Sequence, residues 1–168
     1  LGAISSAGSI TEQGRKMAAL GIHPRLARML VGAVETDRGA LACDLAALLT
    51  EGDVWRSEGG RADADLRLRI EALRRARDSR GDRGDNSSAP AGLRAALDEA
   101  RELRRSVGLP DNARVVDSEI ESAGEVLALA YPDRLGRRRE GHATGSGASA
   151  PAEPSGRGTR YLLRHGRG

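Results

Sequence analysis

Four arginines crowd into six positions at Arg134, Arg137, Arg138 and Arg139, bracketed by Asp133 and Glu140. Guanidinium forks grip phosphate oxygens two at a time and stack on unpaired bases. Arg157, Arg160, Tyr161 and Arg164 add further charge and one stacking ring downstream. A basic groove with aromatic platforms holds single strands without reading their sequence. The candidate nucleic-acid-binding residues are therefore Arg134, Arg137, Arg138, Arg139, Arg160 and Tyr161. A second reading stays open beside this one. Arg134 pairs with Asp133 or a helix C-terminus, Arg137 to Arg139 are solvated, and the cluster contributes little.

Other chemistry-bearing groups carry less. The lone lysine, Lys16, follows Gly14-Arg15 and precedes Met17, so there is no phosphate-cradling G-x-x-x-x-G-K-[S/T] loop. The run Gly145 to Ala150 imitates a dinucleotide fingerprint but has no strand before it and no helix after it. His23, His142 and His165 are far apart and no Cys/His spacing suggests zinc. No catalytic, metal-binding or cofactor-binding residue is assigned. Cys43, between Ala42 and Asp44 with Leu45 beyond, reads as a buried packing thiol with no paired histidine. Arg80-Gly81-Asp82 and Arg83-Gly84-Asp85 read as exposed charged turns, and Asn86-Ser87-Ser88 as a sequon out of its compartment. The six arginines from Arg67 to Arg80 share their helix with Glu71 and Asp78 and read mainly as a solvated face.

These groups need a scaffold, and the composition says what kind. The 168 residues include 27 Ala and 20 Leu, against only Trp55, Tyr131 and Tyr161 as aromatics. Ala, Leu, Arg and Glu are strong helix formers, whereas sheets favour β-branched and aromatic side chains. A mainly α fold is expected. Residues 1–133 carry 19 basic and 22 acidic side chains, net −3, while residues 134–168 carry eight arginines and two glutamates, net +6. A mildly acidic body with a basic tail points to an anionic partner near the C-terminus. The single cysteine and the lack of a long apolar run or signal segment predict a cytoplasmic protein with no membrane partner. Leu1 in place of a starting Met marks the chain as an expected piece of a longer protein.

Proline, glycine and apolar spacing predict six helices. Ser5 to Ser9 reads as a turn between Ile4 and Ile10, and Thr11 as the N-cap of a helix through Leu20 that Gly21 ends. Pro24 opens a second helix with Leu26, Met29, Leu30 and Ala33 at helical spacing. A third covers Gly39 to Glu51 with Leu41, Leu45, Leu48 and Leu49 as its stripe. Asp65 starts a fourth, carrying Leu66, Ile70 and Leu73, that breaks after Arg80. The fifth runs from Ala91 to Val107. Ser118 with Glu121 reads as a capping box opening a sixth, with Ile120, Ala123, Leu127 and Tyr131 in line until Pro132. Of the 19 residues from Glu140 to Gly158, 14 are Gly, Ser, Ala or Pro, a flexible linker.

Several of these segments resemble one family. Leu1-Gly2-Ala3-Ile4, Gly8, Ile10-Thr11, Gly14-Arg15, Met17-Ala18, Leu20 and His23 to Leu30 are similar to the helicase-associated region of DEAH/RHA-type helicases. Asp65 to Arg69, Leu129 to Arg134, Arg137-Arg138, Tyr161 to Leu163 and Gly166 to Gly168 look like the bacterial HrpB branch. The stretches 52–64, 78–92 and 140–156 carry no family pattern. The resemblance implies an ATP-dependent RNA helicase of superfamily 2. It implies the C-terminal part of a winged helix at 1–35, a helical ratchet bundle at 36–139, a linker at 140–156, and the first strand of an OB-like domain at 157–168. It implies a wall of a single-stranded RNA channel beside RecA-like motor domains of the same chain, with Arg134 and Arg137 to Arg139 as favoured contacts. The Walker A lysine, the D-E-x-H box and the motor arginines are missing, so ATP and Mg are expected on motor domains outside this sequence. The alternative is a free-standing helical module that binds nucleic acid or protein and has no motor.

Overall fold

The computed structural model describes residues 1–51, 65–83, 90–138 and 161–163. Its first feature is a turn tied to a helix. Ile4 and Ile10 form an antiparallel bridge around Ser5 to Ser9, with Ser5 N–H donating to Ser9 O at 2.8 Å. Thr11 then caps α1, Glu12–Ala19, its Oγ1 accepting from Gly14 N–H at 2.9 Å. The same hydroxyl donates to Gly2 O at 2.7 Å, and Thr11 N–H donates to Ala3 O at 3.0 Å. This lays the N-terminal strand across the helix so closely that a Cβ on Gly14 would stand 2.2 Å from Ala3 O. Only glycine fits there.

Helix α2, Pro24–Val34, takes proline at its first turn, where the missing N–H is no loss. His23 caps it, Nδ1 accepting from Arg25 N–H at 3.2 Å. Leu26, Ala27, Met29, Leu30 and Ala33 are buried, the face that the spacing predicts.

Helix α3, Gly39–Thr50, departs from its expected amphipathic form. Not one stripe but every residue from Leu41 to Leu48 is buried. The reason is position: α2, α5, α4 and α7 all pack against it. A helix apolar all round belongs in the middle of a bundle. Its one charged core residue is Asp44.

Helix α4 runs Leu66–Arg83, past the expected break at Gly81. One glycine costs a helix only about 1 kcal/mol, which does not end a segment already propagating. The Arg80-Gly81-Asp82 tripeptide is therefore helical backbone rather than a turn, while Gly84, Asp85 and Asn86 to Ser88 lie outside the described residues. Helix α5, Ala91–Ser106, follows the spacing, burying Leu93, Ala96, Leu97, Ala100 and Leu103. It stops at Gly108, whose φ of +75° is the left-handed conformation that frees the next residues to turn back. Gly108 N–H reaches Arg105 O at 3.0 Å and Leu109 N–H reaches Arg104 O at 2.8 Å. Leu109 thereby lies against Gly39 at the start of α3.

The expected sixth helix is two. α6, Asp117–Ile120, and α7, Ala123–Ala130, are separated by a turn at Glu121 and Ser122. Ser118 is not the cap. Glu119 instead accepts from the Val116 N–H at 2.7 Å, two residues upstream of the expected start, and Glu121 faces Arg67. The buried line is Ile120, Ala123, Val126 and Ala130, with Leu127 half-buried.

The fold is mainly helical. Residues Leu1–Ala130 form one compact unit and Tyr131–Gly168 a second. The expected boundary at 35–36 falls between α2 and α3, which pack on each other within the first unit. Among the described residues, no helix is long and apolar enough to cross a membrane.

Candidate nucleic-acid interface

The second unit begins where α7 ends. Pro132 cannot extend an α-helix because it lacks an N–H and clashes with the preceding turn. The chain tightens into a 3-10 turn, Pro132–Arg134, with Arg134 N–H donating to Tyr131 O at 2.9 Å. That turn folds Arg134 back over Tyr131, the guanidinium carbon 5.4 Å from the ring centroid. At this distance the cation meets the ring's negative face, worth roughly 0.5–1 kcal/mol at an exposed position. Arg134 and Leu135 are exposed, so the stacked pair offers solvent a flat, positively charged edge.

Leu135 is extended and leads into strand β1, Gly136–Arg138. β1 pairs antiparallel with β2, Tyr161–Leu163. The register sets Gly136 opposite Leu163, Arg137 opposite Leu162, and Arg138 opposite Tyr161. Two residues 23 positions apart in the sequence are thus adjacent in one ladder. Of the six candidate contacts, the strand pairing brings together Arg137, Arg138 and Tyr161 by backbone placement, while Arg134 lies in the turn that precedes β1. Arg139 and Arg160 lie outside the described residues, as do His142, His165 and the expected linker at 140–156.

The arginines of α4 have a different setting. Arg67 bonds Asp65 at 2.8 Å and Glu121 at 3.3 Å, Arg74 pairs with Asp117, and Arg75 approaches Glu71 at 3.6 Å. These carboxylates come from the same unit. The side-chain hydrogen bond to Asp65 is the main reason that the Arg67 guanidinium holds its proton above the ordinary range, and the same bond lowers the Asp65 carboxyl.

Arg77 leads to a feature that sequence reasoning missed. It reaches into the core, where its Nη2 meets Asp44 Oδ1 at 2.7 Å and its Nη1 meets Oδ2 at 3.3 Å. Arg104 of α5 binds the same Oδ1 at 2.6 Å. Its Nη1 also donates to Ala100 O at 3.0 Å, while Nε has no partner. Asp44 is fully buried and Arg104 is 2% exposed. One carboxylate thus joins α3, α4 and α5. Two signals in the sequence bear on it: Asp44 interrupts an apolar run, and Arg104 follows Ala100 by four residues on the buried face of α5.

Cys43 sits beside this triad and is fully buried. Burial pushes its thiol up to about 12, with the positive charge of Arg104 acting against that. A thiol so protonated is a poor nucleophile, in keeping with a packing role. Among the described residues, no cluster of His, Cys, Asp or Glu is suited to a metal ion. Several described clefts open on the first unit. One of about 380 Å³ lies between the Ile4–Ile10 bridge and α1, with Met17 and Ile22 in its wall. No protein-family model, curated protein or solved structure matches the chain.

Proposed function

We propose that this chain is the helicase-associated region of a DEAH/RHA-type, ATP-dependent RNA helicase, and that its second unit forms part of a single-stranded RNA path. The segment order that resembles that family supports the reading. Its main structural support is the strand register, which sets Tyr161 opposite Arg138 in the strand that follows the Arg134–Tyr131 stack in the chain. Guanidinium groups for phosphates and rings for bases are what non-specific single-strand binding uses. In this proposal residues 1–35 are the end of a winged helix, α3 to α7 belong to the ratchet bundle, and β2 is the first strand of an OB-like domain. The motor chemistry, with ATP and Mg, belongs to RecA-like domains outside this sequence. The working compartment is the cytoplasm.

The test is fluorescence anisotropy of a labelled single-stranded RNA across a salt series, with the wild-type chain beside Arg137→Ala/Arg138→Ala/Arg139→Ala. Loss of three phosphate contacts on a single strand changes the log–log salt slope by about 2. Identical slopes and affinities in both proteins would move the RNA path elsewhere and favour a helical module that binds protein. The purified chain is expected to hydrolyse no ATP, and turnover at a helicase-like rate would refute the assignment of the motor to other domains.

A further inference from the structure

Three observations about α4 point the same way. The first is sparse apolar anchoring. Among its described side chains only Ile70, Ala72 and Leu73 are buried, whereas α5 buries Leu93, Ala96, Leu97, Ala100 and Leu103. Leu68 on α4 is 48% exposed.

The second is a ladder of exposed ion pairs. Arg67 with Glu121, Arg74 with Asp117, and Asp78 with Arg114 follow one another along the helix. Each partner further along α4 lies earlier in the 114–121 segment, so that segment runs antiparallel to α4. The acceptor or donor on the outer side of each pair is well exposed: the side chains of Glu121, Asp117 and Arg114 are 75%, 91% and 61% accessible. Such pairs weaken in salt, because the Debye length falls from about 10 Å at 0.1 M to about 3 Å at 1 M.

The third is the stoichiometry of the buried cluster. Two guanidinium groups share Asp44, leaving one surplus positive charge. Arg104 is the inner one, tied also to the Ala100 carbonyl; Arg77 is the outer one, its side chain 18% exposed. Departure of Arg77 leaves Asp44 and Arg104 as a charge-matched pair. Charge in the core of α3 and α5 thus stays balanced without α4: Asp44 Oδ2 loses its bond from Arg77, but the unmatched charge that makes a broken buried ion pair most costly does not arise.

We propose that α4 is a strap that leaves the bundle as a unit, under control of ionic strength, while α2, α3, α5 and α7 stay packed. Its closed state is held by the ladder, by the Arg77–Asp44 bonds and by Ile70 and Leu73. Its open state releases Arg67, Arg74 and Arg77 together from Glu121, Asp117 and Asp44. Sub-global opening of this kind is how weakly anchored elements of folded proteins behave.

Hydrogen–deuterium exchange of the whole chain tests it, with peptides from α4 read against peptides from α2 and α5. Screening of three exposed pairs is expected to speed α4 exchange roughly fivefold between 0.1 M and 1 M NaCl relative to α2 and α5, equivalent to about 1 kcal/mol. The Asp78→Asn/Glu121→Gln variant removes two rungs while leaving Asp44 and the core intact. In 0.1 M salt it is expected to exchange α4 about threefold faster than wild type and to respond less to added salt. If α4 is as protected as α5 with no salt response of its own, or if all helices speed up together, the strap does not exist.

Discussion

The two arginine-rich stretches of this molecule look alike in sequence and differ in what surrounds them. Along α4, Arg67, Arg74 and Arg77 each meet a carboxylate of the same unit, supplied by Asp65, Glu121, Asp117 and Asp44. After α7, Arg134 lies over the Tyr131 ring and faces solvent. The difference teaches that a count of arginines does not measure the positive charge a surface offers. Acids brought in by the tertiary fold decide it. A guanidinium already held by a carboxylate must give up that bond before it can hold a phosphate, whereas one stacked on a ring keeps its donors free for both.

The comparison is broken most severely at its buried end. Asp44→Ala leaves the guanidiniums of Arg77 and Arg104 facing each other without their shared carboxylate. Chemical denaturation is expected to show a loss of about 3–5 kcal/mol. Adding Arg77→Leu and Arg104→Met to Asp44→Leu is expected to recover most of it, since a well-packed apolar trio needs no charge matching. If Asp44→Ala unfolds at the wild-type midpoint, the triad is not the junction described above.

Next in size is a change that leaves both arginine rows alone. Gly14→Ala drives a methyl into the Ala3 carbonyl and is expected to cost about 1–3 kcal/mol, the range for overpacking at a rigid contact. Thermal unfolding with loss of the Ile4–Ile10 bridge would register it, and both arginine rows should keep their behaviour.

Alkaline pH probes the buried end more gently. The folded Cys43 thiol is raised from its ordinary value near 9 to about 12. The native state therefore holds this proton more tightly than the unfolded chain. Its contribution is complete below about pH 9 and is lost as pH rises toward 12. Cys43→Ala should flatten the decline in stability over that window; an unchanged slope would assign the decline to other groups.

The comparison itself is sharpened by one matched pair of variants. Arg134→Gln is expected to weaken single-stranded RNA binding several-fold and lower the salt slope by about 0.7, the value for one phosphate on a single strand. Arg67→Gln is expected to change neither. Equal losses from both would mean that the internal carboxylates do not neutralise the α4 row. The smallest effect belongs to Asp111, whose carboxyl is lowered first by its hydrogen bond to Arg105. Any stability from this pair is present above the ordinary carboxylate range and fades as pH falls through the lowered value. Asp111→Asn should leave the neutral-pH denaturation midpoint unchanged within error, as expected of an exposed pair.

What the sequence by itself determined is local. Thr11 before Glu12, Pro24 at a first turn and the apolar spacing of α2 and α5 specify helices through capping and periodicity, which depend on neighbours a few residues away. The mainly α character followed from composition for the same reason. The tertiary structure decided which helix is central, because burial of α3 on all sides depends on four other helices closing round it. It decided that the segment after Val116 splits into α6 and α7, with Glu121 drawn toward Arg67 rather than into a cap. It also decided which charges are spoken for. Arg77 and Arg104 lie 33 and 60 residues from the acid they share, Asp44, and the three meet only when three helices pack. Arg138 meets Tyr161 in register only when two distant strands pair. Charge acts through space over a few ångströms, and no local pattern records which distant residues the fold will place within that reach.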